Sequence, residues 1–204
     1  MERIFNGDWA KFRSAVIFAG AVPSKDSGVD MFNSLSFESL GDHWGIAATD
    51  RYRLAWVGVN LSADEFRLMS PDYRALISAP DLLKAVKPAK VSGWHLTIDE
   101  NRRVWSLNVD GSIFGGDLVN GDFPKWRQLT PLSLDSAGDP VAGSINYDPM
   151  LLGGILSGIV KAFGKGVKVK LTPSGDHNDG HHKPVTITGF SERAGAMIMP
   201  VRRA

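Results

Sequence analysis

Ile46-Ala47-Ala48-Thr49-Asp50-Arg51-Tyr52-Arg53-Leu54-Ala55-Trp56 reads as a strand, a polar turn and a second strand. Thr49 and Asp50 suit the turn because their short side chains can bond the backbone just ahead of them. Read alone, this is a hairpin between two half-buried strands. A bare hairpin has no need of an arginine on each side of a tyrosine, so Arg51-Tyr52-Arg53 asks for a second explanation. Outward from the hairpin, strand patterns cover Met31–Phe37, Trp44–Ala48 and Arg53–Val59, with Gly41-Asp42 as a turn.

Upstream, Ile4-Phe5 is a short strand and Asp8 an N-cap for a helix to about Gly20. Trp9, Phe12, Val16 and Ala19 fall on one face of it. The same order then recurs. Tyr73–Ile77 reads as a strand, and Pro80-Asp81 opens a short helix that Pro88 ends. Strands follow at Trp94–Ile98, Arg103–Val109 and Ile113–Val119. It recurs again with a strand at Val141–Asn146, a helix from Asp148-Pro149 to Phe163 with Gly164 as its cap, and strands at Val167–Leu171, Val185–Thr188 and Ala196–Met199. The chain is thus three copies of strand, helix, three strands, an α+β architecture of antiparallel sheets with helices on one face. Residues 121–140, with Pro124, Pro131 and a polar run, form a connector. Residues 1–120 hold two units and make a complete domain; residues 141–204 hold one. Open sheet edges and half-covered faces make such units pair. The odd third unit asks for a partner outside the chain.

The 204 residues are 43% hydrophobic and 22% charged, the balance of an ordinary globular protein. Cysteine is absent, which removes disulfides, thiolate zinc sites and cysteine nucleophiles. No apolar run is long enough to span a membrane, and the first residues lack a signal core, so the expected location is inside the cell. Net charge is +1, but the last third, residues 138–204, holds eight Lys/Arg against five Asp/Glu. There is no phosphate-binding glycine loop with its lysine, no nucleophile elbow and no paired-histidine zinc motif, so catalysis is not expected and no cofactor is implied. Asp176-His177-Asn178-Asp179-Gly180-His181-His182 offers metal-binding side chains, but it falls in a turn-rich loop with nothing to set ligand geometry. A metal-dependent enzyme built on it ranks last among the readings.

Three segments, in this order around these elements, resemble the β sliding clamp of bacterial DNA polymerase III. Phe37-Glu38 with Ala48-Thr49-Asp50-Arg51-Tyr52-Arg53-Leu54-Ala55 is similar to its middle domain. Gly121-Asp122-Phe123-Pro124-Lys125-Trp126-Arg127-Gln128-Leu129 with Pro131 is similar to the segment joining its middle and last domains. Met197-Ile198-Met199-Pro200-Val201-Arg202 is similar to its C-terminus. By this resemblance the fold is a DNA clamp, residues 1–120 correspond to the middle domain, and residues 141–204 to the second half of the last one.

The resemblance implies one hydrophobic cleft for linear motifs of polymerase and clamp loader. It would involve Phe32, Thr49, Arg51, Tyr52, Arg53 and Leu54, then Pro124, Gln128 and Leu129, then Met197, Met199, Pro200, Val201 and Arg202. Methionine and leucine suit such a cleft because they repack around different side chains. Arg51 stands where the family often has a small residue and Gln128 where it often has a basic one, so motif preference should differ. The resemblance also implies a homo-oligomeric ring with helices lining a hole for double-stranded DNA held by its phosphates. Lys11, Arg13, Lys84, Lys87, Lys90, Lys161 and Lys165, on or beside the three helices, are the DNA-facing candidates. Two chains sharing a domain built from their third units, taken twice, give a ring of four chains. The expected function is a polymerase processivity factor, in the bacterial cytoplasm and, from its reduced length, carried by a phage. The alternative is a clamp-like module that binds the same motifs without encircling DNA, as an adaptor or competitor in replication control.

Overall fold

The computed structural model describes residues 2–23, 29–40, 43–60, 73–128, 149–173 and 184–199. Unit 1 comprises β1 (Glu2–Phe5), α1 (Trp9–Ala19), β2 (Ser34–Ser39), β3 (Trp44–Thr49) and β4 (Arg53–Val59). Unit 2 comprises β5 (Arg74–Ser78), α2 (Ala79–Ala85), β6 (Trp94–Asp99), β7 (Val104–Val109) and β8 (Ser112–Asp117). Unit 3 contributes α3 (Pro149–Phe163), β9 (Lys170–Pro173), β10 (Val185–Thr188) and β11 (Ala194–Ile198). The expected strand at 141–146 lies outside the described residues.

Local chemistry explains most element boundaries. Asp8 has an extended backbone and its carboxylate accepts from Lys11 N at 3.1 Å, satisfying a free N–H at the start of α1. Trp9, Phe12, Ala15, Val16, Phe18 and Ala19 are the buried side of that helix. α2 stops at Val86, ahead of Lys87-Pro88. Gly164 ends α3 with φ +92°, its N–H donating to Val160 O at 3.0 Å.

Two expectations are corrected. Residues 30–33 form a 3-10 turn rather than the start of a strand, because Phe32 N donates to Val29 O and Ser34 Oγ to Met31 O, so β2 begins at Ser34. β9 begins at Lys170 rather than Val167, because Gly164 and Gly166, both at positive φ, spend the preceding residues in turning the chain.

Units 1 and 2 do not each keep their own sheet. β1 joins β6-β7-β8, and β5 joins β2-β3-β4. Each first strand therefore lies antiparallel beside the second strand of the other unit. α1 accounts for the exchange: it packs on β3 and β4 of the sheet that β1 does not join, so it carries the chain from one sheet to the other.

Unit 3 extends the second sheet through β4. Ala194–Ile198 pair antiparallel with Val57–Arg53, giving a seven-stranded sheet β5-β2-β3-β4-β11-β10-β9. Its inner face, with Leu35, Phe37, Ile46, Ala55, Val57, Ile187 and Ala196, shares one core with the helices and the other sheet. α1 touches both α2 and α3, so the helices form one contiguous layer. Gly158 permits the approach of α3 to the end of α1: a Cβ there would lie 2.5 Å from Ala21 Cβ. The outer face of the sheet carries a separate cluster, and the candidate cleft is built on it.

Candidate partner-binding cleft and basic helical layer

Strand alternation decides which side chains reach the outer face. On β4, Ala55 and Val57 belong to the inner core, whereas Leu54 and Trp56 belong to the outer cluster. On β11, Ala196 and Ile198 point inward and Met197 outward. Leu54 and Met197 stand directly opposite in the β4–β11 ladder, at the join between units. Ala47, Leu76, Phe123 and Trp126 complete the buried cluster. Met199, two residues beyond Met197, follows it on this side and is 43% exposed. Trp126 and Trp56 stack with ring centroids 6.2 Å apart. Gly195 makes room for Trp56, since a Cβ there would fall 2.3 Å from the indole.

The hairpin is fixed by Asp50. Its Oδ1 accepts from Tyr52 N and Arg53 N at 3.1 and 2.7 Å, and its Oδ2 from Arg53 Nε and Nη2 at 2.9 and 2.7 Å. Thr49 Oγ1 donates to Arg53 O at 2.7 Å and accepts from Arg51 N at 3.2 Å. The turn places Arg51 at φ +79°, a region an arginine occupies only under constraint. Its guanidinium lies 4.7 Å from the centre of the buried Phe32 ring, a cation–π contact. Among the described residues it has no carboxylate partner. Tyr52 is exposed, and its carbonyl accepts from Met199 N at 2.9 Å, which ties the tail to the hairpin.

A buried carboxylate holds the connector. Glu38 is 0% exposed and accepts from Ser36 Oγ at 2.7 Å, Trp126 Nε1 at 3.0 Å and Arg127 Nε at 3.1 Å. Arg74 Nε is 2.9 Å away and Arg127 Nη2 3.0 Å, so two guanidinium groups balance one charge. Arg127 also donates to Ser39 O, and Arg74 to Phe123 O at 2.8 Å. These bonds lay residues 123–128 across the outer face and set Trp126 into the cluster. Beside them is a groove of about 470 Å³ lined by Glu38, Tyr73, Arg74, Lys125, Arg127 and Gln128.

Of the cleft residues expected from the sequence, Leu54 and Met197 belong to the outer cluster, Arg51 stands over Phe32, and Tyr52 and Met199 are joined by a backbone hydrogen bond. Pro124 is half-buried in the connector and Gln128 exposed at its end. Leu129, Pro200, Val201 and Arg202 lie outside the described residues. Arg53 is placed differently. By alternation it shares the inner face of Ala55 and Val57, and its Nη2 donates to Val22 O at 2.9 Å while pairing with Asp50. Its work is to brace the hairpin against the helix side. Sequence reasoning did not single out Glu38, Trp56, Arg74, Trp126 or Arg127 as site residues. The signals for them were Phe37-Glu38 and Trp126-Arg127, quoted only as part of the resemblance.

The helical layer carries the basic candidates. Lys11, Lys84, Lys87, Lys90, Lys161 and Lys165 are all exposed. Arg13 is half-buried, and its Nε donates to Val86 O at 3.0 Å, joining α1 to the end of α2. Within the three helices Asp81 is the single acid. The histidine-rich loop 176–182 lies outside the described residues. Among the described residues no cluster of His, Asp or Glu could hold a metal ion.

Two antiparallel sheets with three helices match the fold of solved bacterial DNA polymerase sliding clamps. The DNA polymerase III beta subunit of Thermotoga maritima superposes with a TM-score of 0.72 at 14% identity, covering 99% of this chain and 66% of that one. The sliding clamp of Pseudomonas aeruginosa gives 0.73 at 13% identity, covering 98% and 66%. That of Bacillus subtilis gives 0.69 at 15% identity, covering 100% and 65%. The chain therefore spans about two thirds of the length of these clamps. No protein-family model matches the sequence. No helix among the described residues is long and apolar enough to cross a membrane.

Proposed function

We propose that this protein is a DNA sliding clamp: a homo-oligomeric ring that encircles double-stranded DNA and tethers a polymerase, and the loader that opens the ring, through linear motifs held in the outer cleft. The observation that carries this reading is the sheet continued from β4 into β11 behind one layer of helices that exposes Lys11, Lys84 and Lys161 against the single acid Asp81. Sheets joined edge to edge build a wall, and the helices give that wall a basic inner surface. Lysines facing phosphates hold DNA without regard to sequence and let it slide. No chemistry is required of the protein, because closure of the ring supplies the tether.

The cleft suits its task for separate reasons. Leu54, Met197 and Met199 offer an apolar, adaptable floor at the join between units. Arg51, Tyr52 and Gln128 supply polar groups at the rim for a peptide backbone. Among the described residues no strand pairs with the outer edge of β8, the last strand of unit 2, whereas the last strands of units 1 and 3 pair with each other as β4 and β11. An equivalent pairing at β8 would carry the wall into a further copy.

A second reading is a clamp-like module that binds motifs without encircling DNA. The two separate on DNA topology. The protein assembled on nicked circular DNA should stay bound through a gel-filtration step in moderate salt and be lost once the circle is linearised. Equal loss from both forms would leave the non-ring module as the account.

A further inference from the structure

We infer that Arg51 is a specificity-determining residue of the outer cleft: its guanidinium reads an acidic side chain, Asp or Glu, that lies beside apolar residues in the partner's segment. The inference rests on the proposed function, in which the cleft receives linear motifs, and it adds the chemistry those motifs carry.

The backbone gives the first observation. Arg51 N donates to Thr49 Oγ1, and Thr49 stands opposite Leu54 in the β3–β4 ladder, so the hairpin tip begins where the apolar floor ends. The turn holds Arg51 at φ +79°. A β-carbon is crowded in that region, and glycine or asparagine would serve the turn at less cost. A long side chain kept there points to a task at that position.

The guanidinium is held ready for one. It lies 4.7 Å from the centre of the Phe32 ring, and Phe32 is itself buried. An aromatic face beneath a cation restrains the side chain, so less freedom is lost when a carboxylate arrives. The acid next to it in the chain is already engaged: Asp50 accepts from Tyr52 N and Arg53 N with one oxygen and from the Arg53 guanidinium with the other. Arg53, Arg74 and Arg127 each face a carboxylate of this chain. Arg51 is exposed and, among the described residues, faces none.

The neighbouring surface supplies the apolar part of the site. Tyr52 and Met199 are both exposed, and a backbone hydrogen bond joins them, while Leu54 and Met197 stand opposite each other in the outer cluster. A segment that sets apolar side chains against Met199 and Tyr52 brings a neighbouring residue to Arg51, one position along the chain. A carboxylate there gains a charge-assisted bond in fork geometry, an amide of the same shape gains less, and a lysine is repelled.

An array of amidated peptides of random sequence, probed with the full chain, tests this; amidation removes the C-terminal carboxylate as a rival source. Bound peptides are expected to carry Asp or Glu next to Leu, Met or Phe. Remaking them with Asn or Gln should lower affinity about fivefold or more at low salt, and added salt should narrow the gap. Arg51→Gly suits the backbone at φ +79°, so it should keep the native circular dichroism spectrum and bind acidic and amide peptides alike. Arg51→Lys keeps the charge without the fork and should retain part of the discrimination. Equal binding of acidic and amide peptides by the native chain, or a gap that survives in Arg51→Gly, would overturn the inference and leave the cleft in place. Binding of no peptide at all would overturn the cleft reading and the inference together.

Discussion

Glu38 carries more of the candidate site than any residue that would touch a partner. It lies on the outer face of β2, where alternation alone predicts a solvated carboxylate. The connector turns that position into an interior one. Glu38→Ala would leave the Trp126 N–H, Arg74 and Arg127 without their acceptor, and should cost about 3 kcal/mol, the bottom of the range for a broken buried pair, because both arginines still reach water. Glu38→Gln keeps the acceptor to Trp126 and should cost less. Urea unfolding of both variants measures the order; equal midpoints for wild type and Glu38→Ala would refute the latch. Met199→Ala makes the opposite prediction. The side chain is half in solvent, so stability should change by less than about 1 kcal/mol, while affinity for a partner motif peptide in fluorescence anisotropy should fall severalfold. Unchanged affinity would place the cleft elsewhere.

Among the elements, α1, α2, α3 and the β3–β4 hairpin were legible in the sequence because their signals are local: an aspartate cap, a proline in the first turn, a glycine after the last, a stripe of apolar residues. Other features were not. The exchange of β1 and β5 depends on which sheet a helix leads to, and no periodicity records that. The apolar run from Val167 does not show that two glycines delay the start of β9, and a resemblance names a position such as Arg53 without its face. A connector has no period to mark Trp126 as an inward residue. Close packing between α1 and α3 gives a test at this scale. Gly158→Ala must push α3 off Ala21, and overpacking of this kind costs about 1–3 kcal/mol. Thermal unfolding should show the loss, and a variant as stable as the native protein would mean the helices do not meet there.

For the whole molecule, the exposed lysines of the helical layer give the test. Phosphate contacts release counterions, so the affinity of the assembled protein for DNA should fall steeply with salt. Lys84→Glu with Lys87→Glu should weaken binding about tenfold or more at low salt and flatten that dependence; an unaltered salt slope would remove α2 from the DNA-facing surface. The central claim is that one chain of three units is an incomplete part of a ring. Absolute mass in solution, by light scattering on a sizing column over a range of protein concentrations, tests it most directly. The account predicts a stable multimer, with the mass of four chains as the closed form and of two as its intermediate. A clean monomer at every concentration would contradict it.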